Sequence, residues 1–107
     1  MQFSENIVFA DLNDGGFPKG EWDCALALEL LEHIHDVPEL LAKIRPVAGR
    51  LVCIYCCLED FGDLTERRER DYFNDFGHAD LQEAFIAAGW EVKVAKADDK
   101  QCLFICE

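Results

Sequence analysis

The order of apolar runs and periodic segments in this sequence predicts an α/β fold, with parallel strands joined by helical crossovers and an antiparallel hairpin at the carboxyl end. Three observations carry that expectation. Residues 24–28 (CALAL) and 51–58 (LVCIYCCL) are uninterrupted apolar runs without polar alternation, the pattern of strands covered on both faces in a parallel sheet. Between them lie an acidic turn and an amphipathic helix, the order of one half of a βαβ unit. Residues 90–97 and 101–106 are two further strand-like runs joined by the polar turn Asp98-Asp99-Lys100.

Taken in order, Asn6-Ile7-Val8-Phe9-Ala10 is a short apolar run that ends in the turn signal Asp11-Leu12-Asn13-Asp14-Gly15-Gly16. Phe17, Pro18 and Trp22 lead into the 24–28 strand and are expected to pack on the sheet edge. The helix that follows is punctuated at both ends. Asp36, three residues before Glu39, makes a capping-box pattern, Pro38 lies in the first turn where its missing N–H costs little, and Pro46 ends the segment. Val37, Leu40, Leu41, Ile44 and Val47 recur at helical spacing. After the second strand, residues 59–77 mix Glu66-Arg67-Arg68-Glu69-Arg70-Asp71 with Phe61, Tyr72, Phe73 and Phe76, which reads as a solvated helix or lid, since the acids offset the arginines. From Ala79 the period is helical again, with Leu81, Ala84, Phe85 and Ala88 on one face and Gly89 placed as a C-terminal cap.

Length and charge bound the function. A chain of 107 residues is one domain at most, short for a sheet with helices on both faces. Lys+Arg 10 against Asp+Glu 22 gives a formal net charge of −12, which repels phosphate backbones and anionic lipid and favours solubility. Nucleic acid and membrane are therefore not expected partners. With no spanning apolar segment and no basic start followed by an apolar core, the expected compartment is the cytoplasm. The six cysteines lie in or beside apolar runs, where cysteine serves as a small core residue, so buried thiols are expected. A zinc site from Cys56, Cys57 and His78 uses suitable ligand types, but adjacent strand residues point to opposite faces. His33-Ile34-His35-Asp36 has the look of a metal-ligand set too, although Asp36 already has a capping role, and no metal is expected.

The words FADLNDGGFP, ALELLEHIHDVPELLAKI, GRLVCIYC and LQEAFIAAGWEV resemble, in that order, the carboxyl-terminal portion of class I S-adenosylmethionine (SAM) dependent methyltransferases, which have a Rossmann-like sheet. The resemblance implies a truncated Rossmann-like methyltransferase sheet, a single partial domain over residues 1–107 with 59–77 as a variable lid or loop over the acceptor. Asp11 would match the acid that contacts the adenine amino group of SAM, with the Leu12 backbone beside it. Equally, Asp11 and Asn13 can simply build the turn through side-chain hydrogen bonds. Glu29 and His33 match positions near the methionine end of SAM or the acceptor, where a carboxylate and an imidazole could orient an acceptor or take its proton. Their structural alternative is to favour a helix start and satisfy loop carbonyls.

The family pattern also has a first strand running into a Gly-x-Gly-x-Gly type loop, then a helix and a strand ending in the acid that holds the ribose hydroxyls. None of these precedes Asn6 in the sequence, and Gly15-Gly16 follows the wrong strand. The expectation is a domain that binds no SAM by itself, with the 24–28 strand left as an apolar sheet edge. Such an edge is expected to pair with another chain, as a homodimer or with a protein supplying the missing half. The alternative is a carboxyl-terminal fragment or subunit of an active SAM-dependent methyltransferase.

Overall fold

The computed structural model describes residues 12–14, 17, 20–56, 73–74, 76–98 and 101–107. Along the chain, β1 (Trp22–Leu28) leads through a 3-10 turn (Leu31–His33) to α1 (Val37–Ile44) and β2 (Ala48–Cys56). Then come α2 (His78–Ala87), β3 (Val92–Ala97) and β4 (Gln101–Cys106). The four strands form one sheet in the order β1-β2-β4-β3. β1 and β2 are parallel, with Leu26 beside Val52, and β4 enters antiparallel between β2 and β3. The expected α/β class, with one helical crossover and a terminal antiparallel hairpin, is the observed one.

The helices form where the residue pattern places them. Asp36 accepts the Glu39 N–H at 3.1 Å through its side chain, Pro38 sits in the first turn, and Val37, Leu40, Leu41 and Ile44 are the buried stripe of α1. α2 buries Leu81 and Phe85, and the chain leaves it through Gly89 at φ +94°, a left-handed backbone that a side chain would strain. Trp90, expected at the start of a strand, instead plugs the space under α1. Its indole N–H donates to the Leu41 carbonyl at 3.2 Å and the Arg45 guanidinium lies 4.7 Å from the ring centre.

Both helices lie over one face of the sheet. Ala27, Leu51, Cys53, Tyr55, Phe104 and Cys106 point into the core they cover, and Phe85 packs on Phe104 with ring centres 5.0 Å apart. The other face corrects the expectation of a strand covered on both sides. Leu26 and Leu28 are 64% and 53% exposed, and only Ala27 of β1 is buried. An uninterrupted apolar run reads the same whether or not the second layer is there. A second correction concerns the cysteines. Cys53 and Cys106 are buried free thiols and Cys24 is an exposed one, but Cys102 is disulfide-bonded.

Candidate functional site

The carboxyl ends of β1 and β2 meet the acidic turn, the Leu12–Asp14 turn and the start of β4 at one end of the sheet. In a sheet with parallel strands this is where ligands seat. β1 ends at Leu28, and the next residue, Glu29, still donates its backbone N–H to the Ile54 carbonyl at 2.8 Å while its φ of 53° turns the chain out of the sheet. Glu29 is the one described non-glycine residue with positive φ, a conformation that costs about 1 kcal/mol and is held by its surroundings. Its exposed carboxylate accepts from the Gln101 amide at 2.8 Å, which ties the end of β1 to the start of β4 across β2.

Past Glu29 the parallel ladder has no further β1 carbonyl to offer. Glu32 supplies the substitute: its carboxylate accepts the Cys56 backbone N–H at 3.1 Å, although the residue is 0% exposed. Burial pushes the Glu32 carboxyl above its usual value of 4.5; the hydrogen bonds and nearby His33 oppose that shift, and Glu29 adds to it. The second oxygen, Oε1, has no hydrogen-bond partner among the described residues. Glu29, Glu32 and His33 are thus one electrostatic cluster, and its buried member is the residue that sequence reasoning left without a role.

Two asparagines lock this turn: Asn13, expected to build its own turn, and Asn74, which the sequence did not single out. Asn13 donates to the His33 carbonyl at 2.8 Å and accepts the His35 N–H at 2.9 Å, so it bridges two chain segments and does not merely build its own turn. Asn74 donates to the carbonyls of Leu31 and Ile34 at 2.7 and 2.9 Å and accepts the Tyr55 hydroxyl. Tyr55 in turn accepts the Phe76 N–H at 3.0 Å, Phe73 donates to the Glu32 carbonyl at 2.7 Å, and the Phe73 ring meets His35 edge-on at 4.1 Å. The described end of the expected 59–77 lid is therefore stitched to the acidic turn.

Of the residues singled out from sequence, Glu29 and His33 come together at this end of the sheet. Leu12 lies at its margin, packed against the core and lining, with Phe17 and His35, a cavity of about 90 Å³. Asp11 lies outside the described residues. A second hollow of about 320 Å³, lined by Ile54, Lys96, Asp98, Gln101 and Leu103, opens beside the Glu29–Gln101 contact. Among the described residues no three His, Cys, Asp or Glu side chains converge as metal ligands, and Cys57 of the considered zinc set lies outside them. No described helix is long and apolar enough to cross a membrane.

No family model and no curated protein matches the sequence. Solved structures do match the fold. Methyltransferase CalO6 superposes with a TM-score of 0.62 at 12% identity, over 85% of this chain and 36% of its own. The structure of PigF with SAH superposes with a TM-score of 0.59 at 20% identity, over 92% of this chain and 34% of its own. The chain spans about a third of the length of these structures. In fold, it is a partial methyltransferase-like α/β domain.

Proposed function

We propose that this chain is a methyltransferase-like half domain that does not transfer a methyl group alone and acts as an assembly module, pairing through the outer edge of β1 with another polypeptide, most simply a second copy in a two-fold dimer. The observation that carries this reading is the state of β1. It is the outermost strand among the described residues, Leu26 and Leu28 stand exposed on it, and an apolar hollow of about 290 Å³ lined by Leu12, Phe17, Trp22, Ala25 and Ile44 runs beside it. An outermost strand beside an apolar hollow favours addition of a further strand. The 107 residues contain no Gly-x-Gly-x-Gly run from which backbone N–H groups could approach a SAM molecule, so cofactor binding by the chain alone is not part of this reading.

Size-exclusion chromatography with light scattering, together with calorimetric titration of SAM and S-adenosylhomocysteine, tests it. The expected result is a dimer at micromolar concentration without measurable cofactor binding. A stable monomer removes the assembly role, and tight cofactor binding by a single copy removes the non-catalytic one.

The exposed Glu29 carboxylate, held at the end of β1 in a left-handed conformation beside His33, favours a second reading. There the chain is the acceptor-side half of an active SAM-dependent methyltransferase, with Glu29 and His33 orienting the acceptor or taking its proton. In-frame sequence upstream of Met1 encoding a strand and glycine-rich loop supports that reading, and its absence counts against it.

A further inference from the structure

One row of the strand register crosses the sheet where the parallel strands end: Leu28, Ile54, Leu103 and Lys96. Ala27, Cys53 and Phe104 beside them belong to the helix-covered core, so by alternation this row lies on the opposite face. Three strand spacings give it a length of about 14 Å from β1 to β3. Ile54, Leu103 and Lys96 line the hollow of about 320 Å³, together with Asp98 and Gln101. An apolar bed with a few placed polar groups, at the carboxyl ends of parallel strands, is the make-up of a small-molecule site.

The two ends of the row carry opposite charges, each with room for a ligand. Lys43 and Lys93 are held in ion pairs by Glu39 and Glu91, whereas Lys96 has no such partner among the described residues. Asp98, in the same lining, gives a carboxylate oxygen to the Gln101 N–H at 2.7 Å. At the β1 end, the Gln101 amide occupies Oε1 of the exposed Glu29 at 2.8 Å, and Oε2 accepts no hydrogen bond among the described residues. A carboxylate suits the ammonium, and a hydroxyl donor suits the remaining carboxylate oxygen. Once the side chains at both ends reach inward, the span between them fits an apolar body of one ring and a short spacer.

We propose that this hollow holds a small hydroxy acid, its carboxylate on Lys96, its apolar body on Ile54 and Leu103, and its hydroxyl on Glu29. The proposal rests on the acceptor-side reading above and names the substrate class of that site. The probes are para-hydroxycinnamate, its methyl ester and cinnamate, titrated into the full chain with methyl-labelled NMR detection.

The hydroxy acid is expected to shift the Ile54 and Leu103 methyl signals saturably and to leave those of Leu40 and Ile44 in place. The ester on the native chain, and the acid on Lys96→Gln, should each bind about threefold to fivefold more weakly, the size of an exposed ion pair. Added salt should shrink that difference. Cinnamate should bind more weakly than the hydroxy acid on the native chain and equally with it on Glu29→Ala, since the hydroxyl then has no acceptor. Absence of a saturable shift, equal binding of acid and ester, an unaffected Lys96→Gln, or equal binding of cinnamate to the native chain each overturns the proposal. The acceptor-side reading fails separately. If the acid binds but no strand and glycine-rich loop are encoded upstream, the hollow is a hydroxy-acid site without methyl transfer. If they are encoded and the acid does not bind, that reading stands and this substrate class falls.

Discussion

The Glu32 carboxylate accepts the Cys56 backbone N–H at 3.1 Å from a fully buried position and takes over the acceptor that β1 no longer provides once the chain turns at Glu29. The ionised form makes that bond best, yet burial opposes ionisation and raises the carboxyl above 4.5. A raised folded-state pKa means that the folded chain binds the proton more tightly than the unfolded chain. The resulting stability is fully present below about 4.5 and is lost as pH rises through the raised value. Unfolding curves between pH 4 and 8 should therefore show the native chain losing stability relative to Glu32→Gln as pH rises. Glu32→Ala, which leaves the Cys56 N–H and a void behind it, should cost about 1–3 kcal/mol at pH 4 and less as pH rises, because it removes the same titrating group. A Glu32→Gln curve parallel to the native one would remove this assignment.

Asn74 should prove the keystone of the turn. Its side chain satisfies the carbonyls of Leu31 and Ile34 and the hydroxyl of Tyr55, three part-buried groups on two elements. Asn74→Ala removes three hydrogen bonds at once, although Leu31 keeps the Ile34 N–H and Tyr55 keeps the Phe76 N–H, with an expected loss of about 2 kcal/mol. With a urea slope of about 1–3 kcal/mol per molar for a domain of this size, the midpoint should fall by roughly 1 M. Tyr55→Phe keeps the Asn74 bonds to both carbonyls and should cost less than half as much.

The residues that carry local rules were readable in advance, and those that act across distance were not. Asp36, Pro38 and the 37–44 stripe announce α1 because capping and periodicity operate within one or two turns. Asp98 announces the hairpin in the same way, and its side chain accepts the Gln101 N–H at 2.7 Å. Gln101 and Asn74 carry no such signature. They sit 72 residues from Glu29 and 43 from Leu31, and only the order of strands in the sheet brings them there. The exposure of Leu26 was hidden for another reason, since burial on the second face depends on a neighbour that the strand's own residues do not encode. The disulfide at Cys102 was likewise beyond spacing, which does not fix cysteine connectivity.

If β1 pairs with a second chain, charge on its exposed side chains should block assembly without harming the fold. Leu26→Lys changes a residue that is 64% exposed, so its effect on monomer stability should stay within about 0.5 kcal/mol. In light scattering the variant should run as a monomer where the native chain dimerises. Salt provides an independent check. Two copies at −12 repel, and raising ionic strength shortens the Debye length to about 10 Å at 0.1 M, so the native dimer should tighten as salt is added. Association that weakens with salt would point to ion pairs and away from an apolar strand edge.

Glu29 allows a test of whether backbone strain is being held for something other than stability. At φ 53° a residue with a Cβ is disfavoured by about 1–2 kcal/mol, and glycine is not. Glu29→Gly and Glu29→Ala both remove the carboxylate and the bond from Gln101, so the difference between them isolates the strain. The glycine variant should be the more stable of the two by about 1 kcal/mol, less the extra entropy that glycine loses on folding. Gln101→Ala removes the bond and leaves the strain, and at this exposed site it should cost no more than about 1 kcal/mol. If Glu29→Gly also matches or exceeds the native melting temperature, a glutamate at this position does not stabilise the fold. Its retention then has to be explained by the carboxylate itself, as the second proposed reading requires. If the glycine variant instead melts well below the alanine one, the turn is relaxed in solution and Glu29 has no strained role to explain.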